Sequence, residues 1–152
     1  MNDDEAIALA LEEAQTAGAR GEVPVGAVLV SAEGALLARD GNRIVEQNDP
    51  TAHAEMLVLR AAAARLKNER LTGTVLYVSL EPCAMCAAAV SLARVARVVF
   101  AAEDPKAGGI LHGGRFFEQP TCHHRPVVSR AGDAEEAGRL LKSFFQARRP
   151  KG

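Results

Sequence analysis

One histidine and two cysteines in this chain have the types and spacing of metal ligands. His53 stands in Thr51-Ala52-His53-Ala54-Glu55, and Cys83 and Cys86 stand in Glu81-Pro82-Cys83-Ala84-Met85-Cys86. An imidazole and two thiolates give a zinc ion three protein ligands and leave its fourth corner to water. Such a water is a nucleophile near neutral pH. Glu55 is a carboxylate that need not bind the metal, so it can move protons beside it. Together these residues point to metal-assisted hydrolysis.

Each half of the pattern is weak alone. Cys-x-x-Cys also serves redox chemistry and structural zinc, and His-x-Glu by itself carries little information. The spacing adds constraints. Side chains two apart on a regular helix diverge by about 200°, so His53 and Glu55 can share a site only at an irregular first turn. Cys83 and Cys86 also open a predicted helix, where the positive dipole end and free N–H groups favour thiolates. A strand fits between His53 and Cys83, so two helix N-termini can face each other across a metal.

The elements that would hold these residues read as an alternating series. A helix is predicted over Asp3–Ala19, with Ile7, Ala10, Leu11 and Ala14 as its apolar stripe. Val25–Val30 is a continuous apolar run, as in a buried strand. The turn Ala32-Glu33-Gly34 leads to a returning strand, Ala35–Arg39, and residues 41–50 form a polar loop. A second helix is expected from Thr51 or Ala52 to Leu66, through Leu57, Val58, Ala61 and Ala64. Thr74–Ser79 reads as a strand, Cys83–Ala93 as a small-residue helix, and Arg97–Ala101 as another strand. Residues 104–125 are irregular, with a short strand near Val127-Val128. The last helix is capped by Asp133, with Glu136 three residues on and an apolar stripe of Ala137, Leu140, Leu141 and Phe144. The expected fold is a single α/β domain over residues 1–152, a three-layer α/β/α sandwich on a central mixed five-stranded sheet.

Composition sets limits. The chain has 152 residues and a net charge of -1, so it carries no overall signal for a polyanion. Charge is nonetheless segregated. Six acids and one base lie between Met1 and Glu22, whereas five bases and no acid lie between Gly138 and Gly152. The basic tail reads equally as a phosphate contact or as a solvated helix end that suits the dipole. No apolar stretch is long enough for a membrane span, and the acidic start lacks the form of a secretory signal. Three cysteines, two of them in a ligand-like pair, suit a reducing compartment, and the cytoplasm is the expected location. Cys122, His123 and His124 are consecutive, an arrangement that rarely converges on one ion. Phe116-Phe117 and Phe144-Phe145 could stack on bases, though one ring of each pair is expected in the core.

His-x-Glu followed by Pro-Cys-x-x-Cys is the known signature of zinc deaminases acting on bases. Over nearly its whole length the chain more closely resembles the bacterial tRNA-specific adenosine deaminases, within the cytidine deaminase-like superfamily. The resemblance is carried by Glu22-Val23-Pro24-Val25-Gly26-Ala27-Val28, Asn42-Arg43, residues 49–55, residues 76–83, Asp104-Pro105-Lys106, and Phe144-Phe145 followed by Arg148-Arg149. It implies one Zn²⁺ per chain held by His53, Cys83 and Cys86, with Glu55 as general acid/base. It implies substrate contacts from Asn42, Ala54, Asp104, Lys106, Phe145 and Arg149, a tRNA anticodon stem-loop as partner, and a homodimer. The implied reaction converts the wobble adenosine to inosine. Residues 108–124 differ from the Gly/Ala/Ser-rich stretch of many members, so loop contacts do not transfer there.

Two other functions fit parts of the pattern. One is a deaminase of a free base or nucleoside such as guanine or cytosine, for which the basic tail and Phe-Phe-x-x-Arg-Arg have no use. The other is a non-catalytic RNA-binding module with a structural zinc, which needs a fourth protein ligand; Cys122 is the spare thiol.

Overall fold

Residues Gly26–Val30 (β1), Leu36–Gly41 (β2), Val75–Leu80 (β3), Arg97–Ala102 (β4) and Val127–Arg130 (β5) form one sheet in the order β2-β1-β3-β4-β5. The computed structural model describes residues 1–148. β1 is antiparallel to both β2 and β3, while β3, β4 and β5 run parallel. The sheet is therefore mixed and five-stranded, as expected. Its apolar strands are buried on both faces, so alternate residues feed two cores. Ala27, Leu29, Leu76, Val78, Val98 and Phe100 face one side; Val28, Val30, Tyr77, Val99 and Ala101 face the other.

Helices Asp3–Ala19 (α1) and Ala134–Ala147 (α4) cover the second face, and Ala54–Leu66 (α2) and Ala84–Leu92 (α3) cover the first. Asn2 caps α1: its Oδ1 accepts from the Glu5 N–H at 2.8 Å, and Glu5 returns a bond to the Asn2 N–H. Asp3 then accepts from Arg97 at 2.6 and 2.9 Å and from the Tyr77 hydroxyl at 2.8 Å. The acidic start of the chain thereby pins α1 to the amino ends of the parallel strands. Asp133 caps α4 by accepting from the Glu136 N–H at 3.0 Å.

Two expectations need correction. Helix α2 begins at Ala54 rather than at Thr51, because Asp49 Oδ1 accepts from both the N–H and the hydroxyl of Thr51 and turns the chain there. Its buried residues are Ala54, Glu55, Val58, Leu59 and Ala62, whereas Ala61 and Ala64 are exposed. An alanine-rich helix is apolar on every side, so its sequence period does not select a face. The stripe of α4 is also shallower than expected: only Ala137 is fully buried, and Leu140, Leu141 and Phe144 are half-buried.

The approach of α1 to the sheet depends on a pair of glycines. Gly26 and Gly41 are register partners across β1 and β2. A methyl on Gly26 would fall on the Ala10 carbonyl and the Ala14 amide of α1, and one on Gly41 would meet the Glu13 carbonyl. These neighbours are backbone and cannot swing aside. Gly26→Ala should therefore destabilise the fold by about 3 kcal/mol, the upper range for overpacking. Denaturant unfolding would measure this, and an unchanged midpoint would show that α1 does not rest on the strand backbone.

Candidate active site

The three ligand-type residues meet where two helices begin. His53 is the N-cap of α2, with φ -70° and ψ 150°, and Cys83 is the N-cap of α3, with φ -71° and ψ 175°. Their extended backbones turn both side chains off the regular helical path, which resolves the divergence expected for His53 and Glu55. Cys86 is the third helical residue of α3, and N-cap and third-residue side chains face each other at any helix start. This is how Cys-x-x-Cys at a helix start becomes a pincer.

His53 Nδ1 lies 3.7 Å from Cys83 Sγ and 3.7 Å from Cys86 Sγ. Tetrahedral zinc with bonds of about 2.3 Å to sulfur and about 2.0 Å to nitrogen separates such atoms by about 3.6 Å. The donor set therefore fits a zinc ion in both chemistry and spacing. Cys86, by donating to Cys83, holds the Cys83 thiol down to about 4, with His53 adding to the effect. Cys86 itself is pushed up, and the Cys83 contact raises His53. The cluster thus carries thiolate character at neutral pH, which a cation would complete.

Glu55 is the second residue of α2 and is 3% exposed. Its Oε1 is buried with no hydrogen-bond partner, and burial pushes its carboxyl up to about 7. An unpartnered buried carboxylate costs folding free energy, so it marks a place where something else is meant to bind. Glu55, His53 and Cys83 line a cavity of about 200 Å³ together with Asn42, Leu80 and Asp104. Val23, Leu80, Asp104 and Ala107 also line a neighbouring groove of about 530 Å³, whose far wall holds Lys106, Lys142 and Phe145.

The expected substrate contacts divide accordingly. Asn42 is on the cavity wall but already works for the fold: its Oδ1 accepts from the Ala54 N–H at 2.8 Å, and its amide donates to Val23 O at 3.1 Å. One N–H and one lone pair of its side chain remain for a ligand. Ala54 is fully buried with its N–H on Asn42, so it presents nothing to the cavity of its own. Asp104 stands between cavity and groove, Lys106 on the groove, and Phe145 projects there at 53% exposure. Phe117 is the core ring expected of the first phenylalanine pair, but the second pair departs from expectation: Phe144 is only half-buried and Phe145 is open, so neither is a core ring. Arg149 lies outside the described residues.

Sequence reasoning missed two buried glutamates that shape the rim. Glu22 accepts from the N–H groups of Val45 and Glu46, holding the loop that follows Asn42. Glu81 accepts from the N–H groups of Asp104, Ile110, Leu111 and His112 and from the His112 ring. Their signal was present: each is an acid one or two residues before a proline at the border of an apolar run. Glu81 also forms a second donor cluster with Glu103 and His112, but its oxygens are already occupied by N–H groups. Cys122 belongs to the core, where it contacts Ser91 Oγ at 3.5 Å and the His124 carbonyl at 3.2 Å. It is not among the donors that converge on His53.

A model of the cytidine and deoxycytidylate deaminase zinc-binding region matches residues 1–102. A tRNA-specific adenosine deaminase of Agrobacterium fabrum is 54% identical over 93% of this chain and 92% of that protein. A solved structure from a study of A-to-I editing by tRNA:A34 deaminases at the wobble position is 52% identical. It has a TM-score of 0.86 and covers 90% of this chain and 99% of the other. A guanine deaminase from Bacillus subtilis is more distant, at 29% identity and a TM-score of 0.66, with 99% of each chain covered.

Cys83→Ala and Cys86→Ala should each yield protein that retains no zinc after dialysis, measured by metal analysis. Zinc retained by either variant at the wild-type level would show that the thiols are not its ligands.

Proposed function

The chain belongs to the zinc-binding cytidine and deoxycytidylate deaminase family, among its tRNA-specific adenosine deaminases, and from this premise we propose that it converts the wobble adenosine of a tRNA anticodon to inosine. His53, Cys83 and Cys86 would hold one zinc per chain. When bound, the ion supplies a water that is nucleophilic at neutral pH. The observation that carries the reading is the orphaned Glu55 oxygen, buried beside the three donors and open to a cavity sized for a single base.

In this reaction water oxygen bonds to C6 of adenine, the C6–N6 bond breaks, and N6 leaves as ammonia. Glu55 takes the proton from water and returns it to the departing nitrogen. Burial suits it to that work, because it raises the carboxyl's affinity for the proton that must be carried. Asn42 orients the base with its remaining N–H and lone pair. The base must leave the anticodon stack to reach the cavity, a cost of about a few kcal/mol and lowest in a single-stranded loop.

The adjoining groove favours RNA over a free base. Phe145 offers a stacking face, Lys106 and Lys142 offer cations, and Asp104 can accept from a ribose hydroxyl. Arg148, stacked on the Phe144 ring, adds a cation on the neighbouring side of α4. A free-base enzyme such as a guanine deaminase would use the small cavity alone. The structural-zinc reading lacks support, since no fourth protein ligand joins the cluster among the described residues.

The reading includes a homodimer in the cytoplasm. Leu92 is 79% exposed beside Met56, Leu59 and Ala89 in a shallow apolar hollow between α2 and α3, a surface suited to a second copy. No helix of the described residues is long and apolar enough to cross a membrane.

Two measurements bear on the proposal. Glu55→Gln should keep its zinc and its fold while inosine formation on total tRNA falls by about 10³-fold, within the range for a general acid/base; near-normal turnover would remove Glu55 from the chemistry. Phe145→Ala should leave thermal stability unchanged and weaken anticodon stem-loop binding by about 1–3 kcal/mol, the value of one base stacked on an aromatic ring. Unaltered affinity would take the α4 groove out of the RNA path.

A further inference from the structure

The loop from Asp104 to His112 carries the residues that separate the base cavity from the groove, and one buried carboxylate holds it. Glu81 Oε1 accepts from the Asp104 N–H at 3.1 Å and faces His112 Nδ1 at 2.8 Å. Oε2 accepts from the N–H groups of Ile110, Leu111 and His112 at 3.1, 2.9 and 3.2 Å. The Gly109 N–H adds a bond to the Pro82 carbonyl at 2.8 Å. The loop lies so close that a methyl on Gly108 would strike Glu81 Oε2. Asp104 in turn accepts from the N–H groups of Lys106 and Ala107, both at 3.1 Å, so its placement fixes the turn that carries Lys106.

We propose that Glu81 is a positioning residue for RNA, acting through Asp104, while the ligand Cys83 two residues on does not depend on it. The inference rests on the tRNA reading above. Its physical basis is an asymmetry between the two carboxylate oxygens. Oε2 faces three backbone donors, where an amide NH₂ could not be accommodated. Oε1 faces one backbone donor and one imidazole nitrogen, and an imidazole can change tautomer to accept instead of donate. Glutamine at this position would therefore turn its NH₂ toward Asp104 and His112. His112 would adapt, and the Asp104 N–H alone would lose its acceptor. The substitution E81Q releases one end of the loop and leaves the other fastened.

E81Q and H112A are compared with the wild type on an anticodon stem-loop, with zinc content, thermal melting and amide hydrogen exchange measured on the same samples. In E81Q, KM should rise about tenfold with kcat within about twofold, the pattern for lost binding rather than lost chemistry. Zinc should stay at the wild-type level. Exchange should accelerate at Asp104–Ala107 and not at Ile110–His112. H112A keeps the Asp104 bond and should match the wild type in KM. A wild-type KM in E81Q overturns the proposal, as does loss of zinc or kcat at constant KM. An E81Q chain that fails to fold also overturns it, since the amide is held to be tolerated everywhere except at Asp104. If the wild type makes no inosine, the tRNA reading fails instead, and the exchange pattern still tests the Glu81–Asp104 bond.

Discussion

Two helix N-termini brought face to face are the constraint on which this molecule depends. His53 caps α2 and Cys83 caps α3, so two positive dipole ends converge on one small volume. Without thiolates and a carboxylate there, the convergence would be repulsive. With a divalent cation added, the donors would be drawn inward and the geometry locked. The sheet makes the meeting possible, since β3 delivers Cys83 at its carboxyl end while β1 and β2 bring the loop that precedes His53 to the same end. Loops at the carboxyl ends of strands are where open α/β sheets place their ligands.

Three buried glutamates serve this arrangement in different ways. Glu22 and Glu81 are saturated with backbone N–H groups, and each turns an irregular loop into a fixed wall. Glu55 has an oxygen with nothing to accept from. The first two offset their burial with hydrogen bonds from backbone N–H groups. Such bonds, with the His112 contact foremost among them, hold the Glu81 carboxyl below its usual range against the opposing effect of burial. For Glu55 burial outweighs the bonds from its own N–H and from Cys86, and its carboxyl is lifted instead. One residue type thus supplies both rigidity and reactivity, and the number of N–H groups in reach decides which.

Much of this was legible in the sequence because the relevant signals are local. The strands are short apolar runs, the cap of the last helix is Asp133, and the spacing of His53, Cys83 and Cys86 reflects the geometry of a helix start. What stayed hidden was set by packing. The buried face of α2 could not be read from Ala61 to Ala64, since alanine carries little contrast between faces. Its start was displaced by the Asp49–Thr51 turn, a hydrogen bond that competes with the helix. The roles of Glu22 and Glu81 depend on loops distant in sequence, 23 and 29 residues on in the contacts with Val45 and Ile110. No periodicity encodes a contact of that kind.

The near-neutral net charge of the chain is compatible with a polyanionic partner where cations gather locally. Asp3 anchors the acidic start of α1 to Arg97, the first residue of β4, and hence at the sheet's amino end. Lys106, Lys142 and Arg148 lie toward the carboxyl end, by the cavity and α4. On the proposed reading, affinity comes from short-range contacts in the groove and selectivity from the small cavity beside it. On that reading Glu55 is spared any binding duty, in keeping with an Oε1 that has no hydrogen-bond partner in the fold.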